Sequence, residues 1–195
     1  PSLAAALAEL RAAGAQRLLV LPLYPQYSAT TVASTFDAVA AELRTWRWLP
    51  ELRVITHYHD DPGYLDALAA SIRTARAERP GERLLFSFHG LPKRNLLAGD
   101  PYHCQCLKTA RRVAERLELQ AEQWAVAFQS RFGRAEWLQP YTGALLVSLV
   151  FTSSAVSVTA GALVGGLATA IIVYALAFKG GLLGFRLIVV GIAIS

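Results

Sequence analysis

The 195 residues contain no methionine and only two cysteines. Cys104 and Cys106 lie one residue apart, a spacing that seldom permits the Cα separation and torsion of a disulfide. A disulfide-stapled secreted scaffold is therefore excluded, and the pair suggests free thiols in a reducing compartment. The first residues, Pro1-Ser2-Leu3, put no basic stretch ahead of an apolar core, so no signal peptide is visible. A chain that opens this way reads as a fragment. The largest absence is of charge. All 14 acidic residues lie at or before Glu136, and of the 19 lysines and arginines only Lys179 and Arg186 lie beyond Arg134. Residues 1–142 thus hold 17 basic and 14 acidic groups, a net charge of +3, as a soluble domain does. Gly143 to Phe178 holds no charged residue, a composition suited to lipid rather than water.

The net charge of +5 could be read as nucleic-acid binding. Its basic residues are interleaved with acids, as in Arg73–Glu78 and Arg111–Glu118, which marks a solvated helix face. No aromatic-rich basic stripe accompanies them, so no nucleic-acid partner is expected. No internal repeat and no long polar linker separates the two halves.

Residues 1–142 alternate helical and strand patterns. Ser2 to Ala13 has apolar residues at helical spacing and Gly14 as a natural end. Arg17–Leu23, Leu52–Tyr58, Arg83–His89 and Gln123–Gln129 are short apolar runs of the kind buried in a parallel sheet. Helices are expected over Thr31–Trp46, Pro62–Glu78 and from Asp100-Pro101 to about Leu117. Strands separated by helices predict an α/β, parallel-sheet, Rossmann-like fold. Ligands collect at the carboxyl ends of such strands. Three polar or aromatic loops start there, Tyr24–Thr30, His89–Asp100 and Gln129–Tyr141, which predicts one shared site. A single helix over Gly143–Phe178 would be about 54 Å long against a hydrocarbon core of about 30 Å. The tail is therefore expected to hold one complete span near Ala160–Phe178 and partial spans beside it. The expected domains are 1–142, an α/β fragment, and 143–195, a truncated α-helical transmembrane segment.

His89 closes an apolar strand ahead of Gly90-Leu91-Pro92-Lys93-Arg94. A partly desolvated histidine there can ligate iron through a neutral ring nitrogen and accept a proton near neutral pH. It can equally cap the strand. The run Ser87-Phe88-His89-Gly90-Leu91-Pro92 resembles the histidine motif of the ferrochelatase family. So do Leu21-Pro22-Leu23-Tyr24-Pro25-Gln26-Tyr27-Ser28 with Thr30-Thr31, and Gly99-Asp100-Pro101-Tyr102. A fourth block, Phe128-Gln129-Ser130-Arg131-Phe132-Gly133 with Trp137-Leu138 and Pro140-Tyr141-Thr142, is similar to that family as well.

The resemblance implies two Rossmann-like half-domains, here incomplete, and insertion of Fe(II), as substrate, into a porphyrin in haem biosynthesis. His89 matches the family's iron-liganding, proton-accepting histidine. Trp137 matches an aromatic lining the porphyrin cleft, and Tyr24, Tyr27 and Ser28 the facing loop. Gln129, Ser130 and Arg131 are polar candidates for the cleft mouth. The family's second catalytic carboxylate, a glutamate in a later segment, has no counterpart after Thr142, so this chain alone is expected to be inactive or nearly so. The resemblance places residues 1–142 in the cytoplasm.

Two other constellations were weighed. His57-x-His59-Asp60-Asp61 has metal-ligand residue types, but an extended strand would turn Asp60 away, and a structural role is favoured. His103-Cys104-x-Cys106 offers too few ligands for a closed iron–sulfur or zinc site. Surface thiols at a helix start are expected there, with no tightly bound cofactor. The tail, GALVGGLATAIIVYALAFKGG with Arg186-Leu187-Ile188 and Gly191-Ile192-Ala193, resembles the membrane permease of iron-siderophore ABC transporters. That would make the chain a chimera joined at Thr142–Gly143. Alternative functions are a transporter subunit fragment or a membrane-tethered porphyrin-binding module. With so short a sheet, exposed edges and apolar faces are also expected.

Overall fold

The computed structural model describes residues 2–81 and 83–150. The expected span near 160–178 and the distinctive permease-like residues lie outside the described residues. Among the described residues no helix is long and apolar enough to cross a membrane. Residues 1–141 form one compact unit, and helix α6, Thr142–Val150, begins the next.

The unit runs α1 (Leu3–Ala12), β1 (Arg17–Val20), a π-helical turn (Ala29–Ala33), α2 (Ser34–Leu43), β2 (Glu51–Val54) and α3 (Pro62–Glu78). It continues with β3 (Leu84–His89), α4 (Lys93–Leu97), α5 (Tyr102–Arg116), a 3-10 turn (Ala121–Gln123) and β4 (Trp124–Gln129). The class is α/β with parallel pairing, but the strands form two separate two-stranded sheets, β1–β2 and β3–β4. Register runs from Arg17↔Glu51 to Val20↔Val54 in one and from Leu84↔Trp124 to His89↔Gln129 in the other.

The first sheet is shorter than the apolar runs suggested. Proline has no N–H to give a ladder, and Pro22 interrupts the first run two residues after Val20. Ile55 still donates to the Val20 carbonyl at 3.0 Å, but the next described bond, Tyr58 N–H to the Pro25 carbonyl at 3.0 Å, joins loop to loop. The expected strand to Tyr58 therefore stops at Val54. Helix α4 went unforeseen because five residues are too few to show a period.

Three clusters make the core. Leu7, Leu18, Val39, Leu43 and Trp46 join α1, β1 and α2. Cys106, Ala110, Val126, Phe128 and Leu138 lie between α5 and the second sheet, while Leu65, Ala69 and Val113 join α3 to α5. The buried residues of α5, Cys106, Thr109, Ala110, Val113 and Ala114, repeat at helical spacing, so one stripe faces the sheet. Each fully buried large side chain contributes about 1.5–3 kcal/mol. Cys106 is wholly buried, not the surface thiol expected, and only Cys104 is exposed.

Candidate active site

Strand β3 delivers His89 to its carboxyl end, beside Gln129 of β4 in register. Phe86 and Phe88 point into the core. By strand alternation Ser87 and His89 take the other face, and both are exposed. The partial desolvation expected of His89 is not seen, since the residue is exposed at the open end of the strand pair. The His89 imidazole is thus presented outward, while its carbonyl accepts the Tyr102 hydroxyl at 3.0 Å.

The turn after His89 is packed against the 136–138 segment. Gly90 N–H donates to the Gln129 carbonyl at 2.8 Å, Leu138 N–H to the Leu91 carbonyl at 2.9 Å, and Lys93 N–H to the Glu136 carbonyl at 2.8 Å. Pro92 and Trp137 form an antiparallel bridge, and Lys93 Nζ pairs with Glu136 Oε1 at 2.8 Å. A Cβ at position 90 would lie 2.7 Å from the Gln129 carbonyl oxygen and 3.3 Å from the Trp137 ring. Glycine is required there because backbone and indole close over it. Trp137 is buried, with its Nε1–H lacking a hydrogen-bond partner, and the Phe132 ring lies tilted against it at 4.9 Å while remaining 75% exposed. Lys93, Leu96, His103, Glu136, Trp137, Leu138 and Gln139 line a cavity of about 370 Å³.

Gln129, the last residue of β4, and Ser130 and Arg131 just beyond it are exposed. Ser130 takes a left-handed backbone, φ 68°, and the Arg131 guanidinium lies 4.7 Å over the Tyr141 ring. Tyr24 is 48% exposed and Tyr27 partly buried. Ser28 is fully buried, its hydroxyl 2.8 Å from Asp100 Oδ2 and 2.9 Å from the Thr30 hydroxyl. The loop carrying these three residues is fastened to α5: Tyr27 N–H donates to Gln105 Oε1 at 2.7 Å, and Gln26 Nε2 to the Thr109 hydroxyl at 3.0 Å. The structure therefore brings the loop, α5 and the His89 turn together, and places Trp137 and Gln129 directly against that turn. Gln26, Asp100, Tyr102 and Gln105 were given no role in the sequence. The signals for Asp100 were its place in the Gly99-Asp100-Pro101-Tyr102 block and a Gly-Asp pair ahead of a helix.

Burial dominates the electrostatics. It holds the His103 ring, stacked on Phe128 at 5.4 Å, below the ordinary histidine range. It also pushes the Cys106 thiol up to about 12 and the Tyr102 phenol well above its ordinary value. Such a thiol is a poor metal ligand at neutral pH. His57 and His59 approach to 5.3 Å between ring centroids, but His59 is buried and His57 exposed. Asp60 turns to Lys108 at 2.6 Å, whose ammonium holds its carboxyl below the usual range. Among the described residues no group of three His, Cys, Asp or Glu side chains is placed to hold a metal ion.

The fold is α/β with two parallel strand pairs, and one exposed histidine, His89, stands at the carboxyl end of β3. The ferrochelatase family model matches residues 1–164, and the chain belongs to that family. The match continues past Thr142 into the uncharged stretch. The chain is similar to the ferrochelatase of Nitrosococcus oceani, 68% identical over 147 residues, covering 75% of this chain and 40% of that protein. It is 62% identical over 143 residues to that of Thioalkalivibrio sulfidiphilus (73% and 39%) and 58% identical over 154 residues to that of Methylibium petroleiphilum (76% and 41%). The chain thus spans about two-fifths of the length of these curated relatives.

Proposed function

We propose that this chain supplies the histidine side of a porphyrin-metallating site, with Fe(II) and a porphyrin as its substrates. The observation that carries the reading is the exposed His89 at the end of β3, flanked by Gln129 and backed by the close-packed Gly90–Trp137 turn. Metallation exchanges two pyrrole N–H protons for one Fe(II). A neutral imidazole can ligate the incoming ion or take up a proton, and at a strand end it can do either without backbone movement. Tyr24 and Tyr27 offer aromatic surface for a flat macrocycle. Arg131, Ser130 and Gln129 are exposed donors suited to peripheral carboxylates, while the buried Ser28 supports the loop from behind. Trp137 backs the histidine turn, its ring in contact with Phe132. No acidic residue follows Glu136 in this sequence to partner His89, so the reading includes binding with little or no turnover by this chain alone.

The reading places residues 1–142 in the cytoplasm. The uncharged stretch Gly143–Phe178 supports, by composition, a lipid-embedded tail, and so a membrane-tethered form of the same module. The permease resemblance rests on Arg186 and the Gly191-Ile192-Ala193 ending alone. The test is porphyrin binding and Fe(II) insertion by the full chain, with His89→Ala beside it. Binding by both, with metal uptake at most slight in the parent and absent in the variant, is the expected result. Absence of porphyrin binding in the parent chain would sink the reading, and turnover undiminished in His89→Ala would remove the histidine from it.

A further inference from the structure

We infer that Asp100 is a positioning residue that locks the Tyr24–Thr30 loop to the His89 turn, an inference that rests on the porphyrin reading above. The two segments are 59 residues apart or more in the chain, and one carboxylate joins them. Its Oδ2 accepts the Ser28 hydroxyl at 2.8 Å and the Ala29 N–H at 2.9 Å. Its Oδ1 accepts the Tyr102 N–H at 3.0 Å, and the Tyr102 hydroxyl in turn donates to the His89 carbonyl at 3.0 Å. Asp100 is 9% exposed, so these bonds are shielded and strongly felt.

The carboxylate is itself fixed by its backbone. Helix α4 ends with Gly99 in a left-handed conformation, φ 92°, with Gly99 N–H on the Leu96 carbonyl and Asp100 N–H on the Asn95 carbonyl. That arrangement is the paired helix-ending motif that favours glycine, and it delivers Asp100 to the start of α5. An anion there is favoured by the helix dipole. Ser28, held by Asp100, caps the turn that opens α2 through the Thr30 N–H at 3.2 Å. The loop bearing Tyr24 and Tyr27 is therefore clamped at its far end by Asp100 and along its length by Gln105 and Thr109.

Three donors converge on Asp100, and only a carboxylate has acceptors for all of them. In Asp100→Asn the single amide oxygen can serve one side, so the amide group faces an N–H on the other. Shape is kept and the clamp is lost.

The experiment uses the full chain and deuteroporphyrin as probe, with fluorescence titration and backbone amide exchange on the parent, Asp100→Asn and Ser28→Ala. Asp100→Asn is expected to weaken deuteroporphyrin binding by about tenfold, the size of one lost charged hydrogen bond. Amide exchange is expected to quicken at residues 27–33 and 89–92 together, while β4 and α3 keep their protection. Ser28→Ala is expected to quicken 27–33 alone, because Tyr102 and His89 keep their link to Asp100. Unchanged binding in Asp100→Asn overturns the inference. So does faster exchange spread through β4 and α3, which would mark a merely structural carboxylate. If the parent chain does not bind deuteroporphyrin, the porphyrin reading fails, and the exchange pattern still decides the clamp: coupled local loosening upholds it, and no change at 89–92 refutes it.

Discussion

The two sheets of the unit are built from similar apolar runs and differ in strand length and in what they leave exposed. Around β3–β4, six-residue strands pair along their whole length, and α3 and α5 seal one face with Phe86, Val113, Phe128 and Cys106. Around β1–β2, the four-residue strands are covered on one face by α1 and α2, while Leu19 on the other is 65% exposed and Leu21 and Leu23 in the segment beyond β1 are 49% and 80% exposed. Parallel strands are ordinarily buried on both faces, and their sequences are written for that. The lesson is that the β3–β4 half is nearer to a self-sufficient core, and the histidine is mounted on it. The facing loop is anchored to the same half through α5, so the weaker sheet contributes a wall that the stronger one holds in place.

The largest expected effect tests that difference in the core. Phe128 is 1% exposed, packs against Phe88 at 6.3 Å and carries the stacked His103 ring. Phe128→Ala is expected to destabilise residues 1–141 by about 3–5 kcal/mol, as cavity formation at a buried aromatic does. Leu7→Ala in the other half is expected to cost less, about 2–3 kcal/mol, since the side chain removed is smaller and leaves a smaller cavity. Urea unfolding of the full chain, followed by far-ultraviolet dichroism, measures both. Equal losses would mean that the two halves are equally well packed.

A smaller effect comes from pH. His59 is 5% exposed and sits between the halves, its carbonyl accepting the Thr109 hydroxyl at 2.8 Å. Burial holds its pKa below the ordinary value, helped by His57 and Lys108 and opposed by Asp60, which lies 3.8 Å from its Nδ1. Burial also lowers His103 on the β3–β4 side. A histidine with a lowered folded pKa binds fewer protons folded than unfolded, so stability falls as pH drops through about 6.5. The loss levels off below the folded values. Asp60, lowered chiefly by the Lys108 hydrogen bond, adds a separate loss only as carboxylates protonate at lower pH. Stability measured at pH 7.0, 6.0 and 5.0 should therefore decline stepwise, and His59→Gln should flatten the first step. A profile level from 7 to 5 would show that neither ring is held neutral by folding.

How much of this was readable in the residues follows from the same physics. The strand–helix alternation and the helix bounds at Pro62 and near Leu117 follow from local pattern, and the structure has them. The division into two halves followed from the family resemblance and not from local pattern, since pairing partners are set by tertiary contacts and Pro22 acts only once the ladder's direction is known. Cys106 looked like a surface residue because Cys104, two positions earlier, shares its type. The helical stripe with Thr109, Ala110 and Val113 settles which of the two is inside. His89, Trp137 and the Tyr24–Ser28 loop stood out through family motifs, but those motifs could not show that Ser28 turns inward or that Asp100 receives it. A hydrogen bond across 72 residues leaves no periodic trace.

The smallest expected effect is also the sharpest on the bare face. Leu18 and Leu19 are neighbours on β1, yet Leu18 is 6% exposed and Leu19 is 65% exposed. Strand alternation sends them to opposite faces, so the same change should have opposite consequences. Leu19→Lys removes apolar surface that water already touches and should alter stability by no more than about 0.5 kcal/mol, the usual range for an exposed site. It should also reduce self-association, because it places charge in the Leu19–Leu21–Leu23 patch. Leu18→Lys would bury an ammonium in the cluster with Leu7, Val39 and Trp46, and should prevent that half from folding. Unfolding midpoints with light scattering separate the two cases. A loss of several kcal/mol in Leu19→Lys would mean that this face of β1 is covered in solution, and the contrast between the two halves would disappear.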